Sequence, residues 1–375
     1  MSASTPVSPS LSRRAVMAGG LTCLAAATGL TGCAGTVTPE TPEGGVLAPQ
    51  PLYRDPVFDG AADPCLIHDP ARGLWVMFYT VRRANVAGLD GVSWVHGTPI
   101  GLAESRDGVH WRYAGTVDFP ADLPGAGAQA GAATYWAPAV VAQDGVFHMF
   151  LTVVPGVFKD WNHPRRIVHL SSTDLRQWRY LDTLSLSSEK VIDPALLRLP
   201  DGSWRLWYNN EAAGKKIYFA DSPDLLRWQD RGPALLSDQA THRGEAPLAF
   251  FWRGRYWLLI DLLRNDGLAA YRSDDGLHWT RQPGVLAQAP GRGRDDQNGA
   301  HHPEVVVHGD RAWMYYFVHP GVSADGSGRD ERRTSLQVLE LGLGADGWLL
   351  APRDLPTRVA LPPGGDARAA PRATR

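Results

Sequence analysis

Three acidic residues stand in the same local setting, just ahead of a proline that precedes an apolar run. They are Asp63, Asp193 and Glu245, in Ala62-Asp63-Pro64, Ile192-Asp193-Pro194 and Glu245-Ala246-Pro247. When carboxyl groups share one pocket, their repulsion raises the pKa of one, so a protonated and an ionised acid can coexist. Hydrolysis of a glycosidic bond uses such a pair. The three acids are therefore candidate catalytic residues, provided that the fold brings them together.

Two further prolines repeat this layout, in Trp136-Ala137-Pro138 and His301-His302-Pro303. The five prolines are 74, 56, 53 and 56 residues apart, and a repeat of roughly 50 residues is typical of a propeller. Because proline cannot donate to a sheet, we expect each one at the first residue of a strand. The residue before it is expected to be extended. Each motif thus predicts where a buried strand begins.

A second repeat, Ser-x-Asp-x-x-x-Trp, falls between successive proline motifs. Its Ser and Asp side chains can close a hairpin turn on nearby backbone N–H groups, and we expect its Trp to open the next strand and cover the outer edge of a blade. The four copies are Ser105 to Trp111, Ser172 to Trp178, Ser222 to Trp228 and Ser273 to Trp279.

Two repeats in fixed phase predict an all-β fold, a five-bladed β-propeller of four-stranded antiparallel blades over residues 52–360. Closure of such a ring removes the sheet edges and brings the first strands together around a central channel. The three acids would then meet at one end of this channel, together with Trp136 and the pair His301/His302.

Composition limits the partners and the location. The chain has 375 residues with 44% hydrophobic and 20% charged residues and a formal net charge of −2. This balance argues against nucleic acid as a partner and against an electrostatic membrane surface. We expect a monomer whose partner is an oligo- or polysaccharide. Of the three cysteines, Cys65 is predicted to be a small core residue.

The first 33 residues are predicted to be a signal peptide. Ser12-Arg13-Arg14 resembles a twin-arginine start, and an apolar region that is too short to span a membrane follows it. It ends at Leu30-Thr31-Gly32-Cys33, which resembles a bacterial lipobox with Cys33 as the lipidated residue; a plain signal peptide is the alternative. Residues 34–51 read as a flexible tether and residues 361–375 as a disordered tail.

The proline motifs together resemble the five-bladed propeller glycosidases, above all glycoside hydrolase family 43, with relatives in families 32, 68 and 117. The resemblance covers roughly residues 53–350. It implies that Asp63 is the general base, that Asp193 tunes the acid and holds substrate, and that Glu245 is the general acid. Retaining relatives in families 32 and 68 carry other residues where this chain has Ala62 and Ile192, which favours an inverting mechanism.

The resemblance also implies a blade-five histidine near a central ion, with His302 the first choice for metal and His301 the alternative or a sugar ligand. No cofactor is expected to be required, although Ca²⁺ or Na⁺ could occupy the channel. Family 117 gives a histidine the acid role, so His301 and His302 stay alternatives to Glu245.

Four further residues are predicted to bind substrate, three of them with a plainer alternative. Trp136 could stack on a sugar or belong to the core, and Trp161 could form a wall of the site from its loop. Asn209 is predicted to follow a strand and could bind hydroxyl groups or cap a turn. Arg264 could contact hydroxyl groups or remain solvated.

Two other functions compete with hydrolysis. A non-catalytic sugar-binding propeller at the cell surface would not need three acids in phase. A glycoside phosphorylase or transferase would need basic residues near the acid, for which Arg243, Arg292 and Arg294 are the candidates. The arabinofuranoside or xyloside type of glycoside is the expected substrate class of the hydrolase.

The lipobox predicts an exported protein that is anchored by lipid at the bacterial cell envelope, outside the cytoplasm. Replacing Cys33 by Ala should therefore move the protein from the membrane fraction to the soluble fraction, because the acyl chains have no other attachment point. Unchanged membrane association of Cys33→Ala would show that the lipid anchor was wrongly assigned.

Overall fold

The computed structural model describes residues 44–125 and 133–362. Apart from two 3-10 turns, Ser93–Val95 and Glu211–Ala213, the regular elements of this part of the chain are β-strands. No helix among these residues is long and apolar enough to span a membrane. The predicted signal peptide (1–33) with Cys33, the tether up to residue 43 and the tail from residue 363 lie outside the described residues.

The strands form five antiparallel blades. A short strand, β1 (Val46–Leu47), comes before them. Blade one contains β2 (Ala61–Asp69), β3 (Leu74–Val81), β4 (Ile100–Ser105) and β5 (Arg112–Thr116). Blade two contains β6 (Thr134–Gln143), β7 (Val146–Val154), β8 (Arg166–Ser172) and β9 (Arg179–Thr183). Blade three contains β10 (Val191–Arg198), β11 (Trp204–Asn210), β12 (Lys216–Ser222) and β13 (Gln229–Pro233).

Blade four contains β15 (Glu245–Trp252), β16 (Arg255–Asp261), β17 (Leu268–Ser273) and β18 (His278–Arg281). A fifth, short strand, β14 (Leu235–Leu236), pairs in parallel with β18 at the outer edge of this blade. Blade five contains β19 (His301–His308), β20 (Arg311–Val318) and β21 (Ser335–Glu340). The short strands β22 (Gly342–Leu343), β23 (Leu349–Leu350) and β24 (Arg358–Val359) follow.

The blades close into a ring, which confirms the predicted five-bladed β-propeller. The first strand of each blade contacts the first strand of the next, and β19 contacts β2. On the outer side of blade five, Tyr53 bridges to Leu336 of β21, and its N–H and C=O both bond to that residue. β1 pairs with β24, so the first and last described strands meet. Residues 46 and 47, predicted as tether, therefore belong to the folded domain.

The hydrophobic core lies between neighbouring blades. Trp178 packs edge-to-face on Phe78 of the preceding blade, with ring centroids 5.9 Å apart. Trp228 and Trp279 meet Phe150 and Trp207 of their preceding blades in the same way. Such pairs add about 0.5–1.5 kcal/mol each beyond the burial of their area. Three of the four repeated tryptophans thus join neighbouring blades, whereas the sequence predicted that they cover the outer edge of a blade.

The Ser-x-Asp turns form as predicted. In the first copy, Ser105 Oγ accepts the N–H of Gly108 at 2.9 Å, and Asp107 Oδ1 accepts the N–H groups of Val109 and His110 at 2.9 and 2.8 Å. Asp174, Asp224 and Asp275 accept backbone N–H groups in the other three copies. Cys65 is buried between blades one and two, where its Sγ accepts the N–H of Val140 at 3.2 Å.

The proline motifs differ from prediction in their backbone. Each proline lies inside its strand, at a break in register with the second strand, as between Ala62 and Cys65 in blade one. The residue before each proline has a positive φ, between 39° and 59°, instead of an extended conformation. A bulge accounts for both observations, because it tolerates a proline without N–H and turns one side chain out of the ladder.

Candidate active site

The five bulges present two sets of residues at the end of the channel. Directly before the prolines, all with positive φ, are Asp63, Ala137, Asp193, Ala246 and His302. One position earlier, all paired with the second strand of their blade, are Ala62, Trp136, Ile192, Glu245 and His301. The two aspartates and His302 therefore share one register, whereas Glu245 shares the register of Trp136 and His301.

Most of the strained residues are held by the preceding blade through their N–H groups. The N–H of Ala137 donates to Thr80 Oγ1 at 2.8 Å, and that of Asp193 donates to Thr152 Oγ1 at 3.1 Å. The N–H of His302 donates to Asp261 Oδ2 at 3.2 Å. A positive φ costs a non-glycine residue of order 1–3 kcal/mol and persists only when its surroundings determine it. These hydrogen bonds hold the residues in that conformation and join one blade to the next.

Blade four departs from this pattern. The N–H of Ala246 donates to Asp193 Oδ2 at 2.9 Å, so the acceptor is the blade-three aspartate itself. The residue of blade three that corresponds to Thr80 and Thr152 is Asn209, which pairs with Ile192. Asn209 lies on β11 rather than after a strand, is fully buried, and its amide has no hydrogen-bond partner. Contact between Asn209 and sugar hydroxyl groups stays a prediction.

Asp63 is a buried carboxylate between two cations. Its Oδ1 lies 3.4 Å from an Arg82 nitrogen and 3.3 Å from His302 Nδ1. Burial would raise the pKa of Asp63, but Arg82 and His302, with a hydrogen bond from Thr80, outweigh it and hold that pKa well below its usual range. Asp63 is thus a carboxylate at neutral pH.

His302 and Asp193 are shifted in the opposite direction. Burial would lower the pKa of His302, but Asp63 above all, then Asp193 and Asp261, raise it to about 9. Burial raises the pKa of Asp193 to about 7, and repulsion by Glu245 and Asp63 adds to this although His302 opposes it. The predicted split between an ionised and a protonated acid thus lies between Asp63 and Asp193.

Glu245 is ion-paired in this structure. Its Oε2 lies 2.5 Å from Lys215 Nζ, and the same nitrogen lies 2.8 Å from Glu211 Oε1. Glu245 is about a third exposed, unlike the two aspartates. Lys215 and Glu211 were not predicted from the sequence. The only signal there is that Lys215 follows a glycine in a tight turn and is one of four lysines in the chain.

An aromatic wall, consisting of His96, Trp136, Phe158, Trp161 and His163, stands at the blade-two side. Trp136 is mostly buried and donates its Nε1–H to the carbonyl of Val95 at 2.7 Å. Trp161 is half exposed, with its ring centroid 6.1 Å from that of Trp136. The structure therefore brings the two predicted sugar-binding tryptophans together, with Trp161 presenting the accessible ring.

The other predicted ligands occupy blades four and five. His301 Nδ1 lies 2.9 Å from Asp261 Oδ2 and its Nε2 lies 2.9 Å from Asn265 Oδ1, so both ring nitrogens are engaged. Burial would lower the pKa of His301, but Asp261 raises it. Arg264 is exposed at the tip of the β16–β17 loop, in a run of three residues with positive φ that ends at Asn265.

A metal site at His302 gains no support from the geometry. Its Nδ1 faces Asp63, and the part of the chain that the structure describes contains no group of three or more His, Cys, Asp or Glu side chains arranged to hold an ion.

The raised pKa of His302 predicts how stability depends on pH. The folded-state pKa of about 9 exceeds the ordinary 6.5, so the stabilisation is complete below pH 6.5 and is lost as pH rises toward 9. The free energy of unfolding, from urea titrations between pH 7 and pH 9, should fall in the wild type and fall less steeply in His302→Gln. His110→Gln, at an exposed turn, is the control. Equal slopes in the wild type and His302→Gln would contradict the buried imidazolium–carboxylate pair.

Comparison with known proteins agrees with this geometry. Residues 53–349 match the family model for glycosyl hydrolases family 43. No curated protein matches the sequence. A thermostable family-43 glycoside hydrolase is 18% identical with a TM-score of 0.58, over 83% of this chain and 98% of that one. The GH43_1 enzyme of Xanthomonas citri, complexed with xylose, is 15% identical with a TM-score of 0.58, over 88% and 97%.

A β-xylosidase/α-arabinofuranosidase from a compost microbial metagenome, solved with xylotriose in a calcium-free form, is 16% identical with a TM-score of 0.57, over 81% of this chain and 98% of that one. At these identities the solved structures establish a shared fold. The family model spans all five blades, from Tyr53 beside blade five to Leu349 of β23. The chain therefore belongs to glycosyl hydrolase family 43 and is a glycosidase.

Proposed function

We propose that this glycosidase hydrolyses arabinofuranosides or xylosides of plant or microbial oligo- and polysaccharides by inversion at the anomeric carbon. The observation that carries the proposal is the contrast between Asp63 and the acids opposite it. Asp63 is held as a carboxylate by Arg82 and His302, whereas a proton is retained near neutral pH at Asp193, beside Glu245. An ionised carboxylate and a carboxyl group that holds its proton, at the same channel end, are the pair that glycoside hydrolysis uses, and inversion needs the carboxylate to act on water rather than on the sugar.

In the proposed reaction, Asp63 takes a proton from a water molecule while the oxygen of that water attacks the anomeric carbon. The glycosidic C–O bond breaks, and Glu245 donates a proton to the leaving oxygen. Asp193 orients Glu245 through the hydrogen bond from the N–H of Ala246, the next residue. Exchange with solvent returns Glu245 to its protonated state and removes the proton from Asp63.

The proposed substrate class is supported by the family and by the exposed indole ring in the aromatic wall. One solved relative is named a β-xylosidase/α-arabinofuranosidase and was crystallised with xylotriose. The half-exposed indole of Trp161 beside Trp136 offers a flat apolar face for a sugar ring. Arg264, exposed on the strained loop near His301, is the proposed contact for sugar hydroxyl groups.

Phosphorolysis is less well supported than hydrolysis. Of the arginines that could hold phosphate, Arg292 pairs with Asp354, and Arg294 donates to the carbonyl of Ala324 at 3.0 Å. Both guanidinium groups are therefore engaged within blade-five loops rather than paired with the three acids. We further propose, from the lipobox at Cys33, that the enzyme acts outside the cytoplasm.

Substrates with good and poor leaving groups test the two roles. Glu245→Gln should lose about 10²- to 10⁴-fold in kcat/KM on natural disaccharides and far less on activated aryl glycosides, whose leaving groups need little protonation. Asp63→Asn should lose activity on both alike, because the departure of either leaving group needs the activated water. Glu340→Gln, which breaks an ion pair with Arg311 on β20, is the matched control.

Equal losses of Glu245→Gln on both substrate types would remove Glu245 from the acid role and direct attention to His301 or His302. Full activity of Asp63→Asn would end the assignment of the base.

A further inference from the structure

Three ion pairs in series run from the proposed acid away from the channel. Lys215 Nζ contacts Glu245 Oε2 at 2.5 Å and Glu211 Oε1 at 2.8 Å. The second oxygen of Glu211 contacts Arg165 Nε. Burial increases along the series, since the exposed fractions of the Lys215, Glu211 and Arg165 side chains are 27%, 11% and 3%. Breaking a buried pair leaves an uncompensated charge, so the series should behave as a unit.

The backbone around Lys215 is shaped to hold this position. Gly214 caps the 3-10 turn Glu211–Ala213, and Gly214 and Lys215 both have positive φ, at 80° and 59°. The carbonyl of Lys215 accepts the N–H of Gly244 at 3.0 Å. Lys215 therefore holds the start of β15 with its main chain and the Glu245 carboxylate with its side chain.

The far end of the series meets the aromatic wall. The Arg165 guanidinium lies 5.8 Å from the ring centroid of Trp136 and 3.3 Å from His163 Nε2. It also donates to the carbonyl of Trp161 at 3.1 Å. The series thus connects the acid of blade four, by way of the β11–β12 turn of blade three, to the wall at blade two.

We propose that Lys215 is a positioning residue for Glu245, and that Glu211 fixes Lys215 and couples it, through Arg165, to the sugar-stacking wall. The proposal rests on the proposed role of Glu245 as the acid. Lys215 would direct the carboxyl group of Glu245 through the ion pair between its Nζ and Oε2. Burial would lower the pKa of Lys215, but Glu245 and Glu211 raise it, so its charge persists at every pH at which the enzyme would be assayed.

Several other charges face Glu245. Asp193 and His301 interact with it electrostatically, from β10 and β19, and Asp261 is its partner on β16. These groups are unchanged in Lys215 and Glu211 variants, so a change in pH dependence reports on the series itself.

The test is the alkaline limb of the pH profile of kcat/KM, measured on a disaccharide with a poor leaving group. Lys215→Met removes the cation beside Glu245, so the limb should move to higher pH by about one unit or more. Glu211→Gln leaves the charge of Lys215 less compensated, so the limb should move by a smaller amount to lower pH. The opposite signs separate this role from a general loss of structure.

Three controls sharpen the result. Lys215→Arg keeps the charge and should return the limb toward its wild-type position. Lys216→Met removes the same charge from the next residue, whose Nζ bonds the carbonyls of Gln239 and Ala240, and should move the limb much less. On an activated aryl glycoside all limb shifts should shrink, because that leaving group does not depend on the acid.

The proposal is overturned if Lys215→Met and Glu211→Gln lower the rate at every pH without moving the limb, or if Lys216→Met moves it as far. The function proposed above would survive that result, provided that Glu245→Gln still discriminates between leaving groups. A wild-type enzyme without activity on any glycoside would overturn both. If Lys215→Met fails to fold by thermal melting, the isosteric Glu211→Gln decides alone, through the sign of its shift.

Discussion

The site depends on a single backbone constraint, the positive φ of the residue before each proline. Because none of the five residues is glycine, each must be held against a cost of order 1–3 kcal/mol. The bulge removes the residue from the ladder, and in four blades the N–H is bonded to a side chain of the preceding blade. The joining of neighbouring blades and the geometry of the site are thus two results of the same bonds.

The same constraint determines which side chains share the channel. Asp63, Asp193 and His302 occupy one register, and Glu245 stands one residue earlier in its strand. The charged and polar groups around these acids then differ from one acid to the next. Two cations hold Asp63 ionised, whereas burial raises the pKa of Asp193 although its carboxyl group accepts the N–H of Ala246. Glu245 is paired with Lys215, the one lysine of this site.

The architecture could be predicted from sequence because its two repeats are local and in phase. Each proline motif marks a first strand, each Ser-x-Asp turn precedes an outer strand, and short-range hydrogen bonding explains both. The approach of Asp63, Asp193 and Glu245 to one channel end followed from closure alone. The conformation of the residues before the prolines did not, since steric preference favours extended backbone there and hydrogen bonds across blades override it.

Contacts between residues far apart in the chain could not be predicted, because the sequence pattern is local. Nothing local to Gly214 and Lys215 indicates that this turn will meet Glu245, 30 residues later, or that Glu211 will meet Arg165 on another blade. The side-chain amide of Asn209 is of a kind that binds sugar hydroxyl groups, but the position of Asn209 on β11 buries it. Val46 and Leu47 lie in a stretch of tether composition and pair with β24, more than 300 residues away in the chain.

In the proposed mechanism the ionised Asp63 activates water for direct attack on the sugar. The anomeric configuration of the first product can be followed by proton NMR from the start of hydrolysis. Direct attack by water predicts that the configuration is inverted in the initial product and reaches the equilibrium mixture only later, by mutarotation. A first product with the configuration of the substrate would contradict it, because retention requires a carboxylate that attacks the sugar itself.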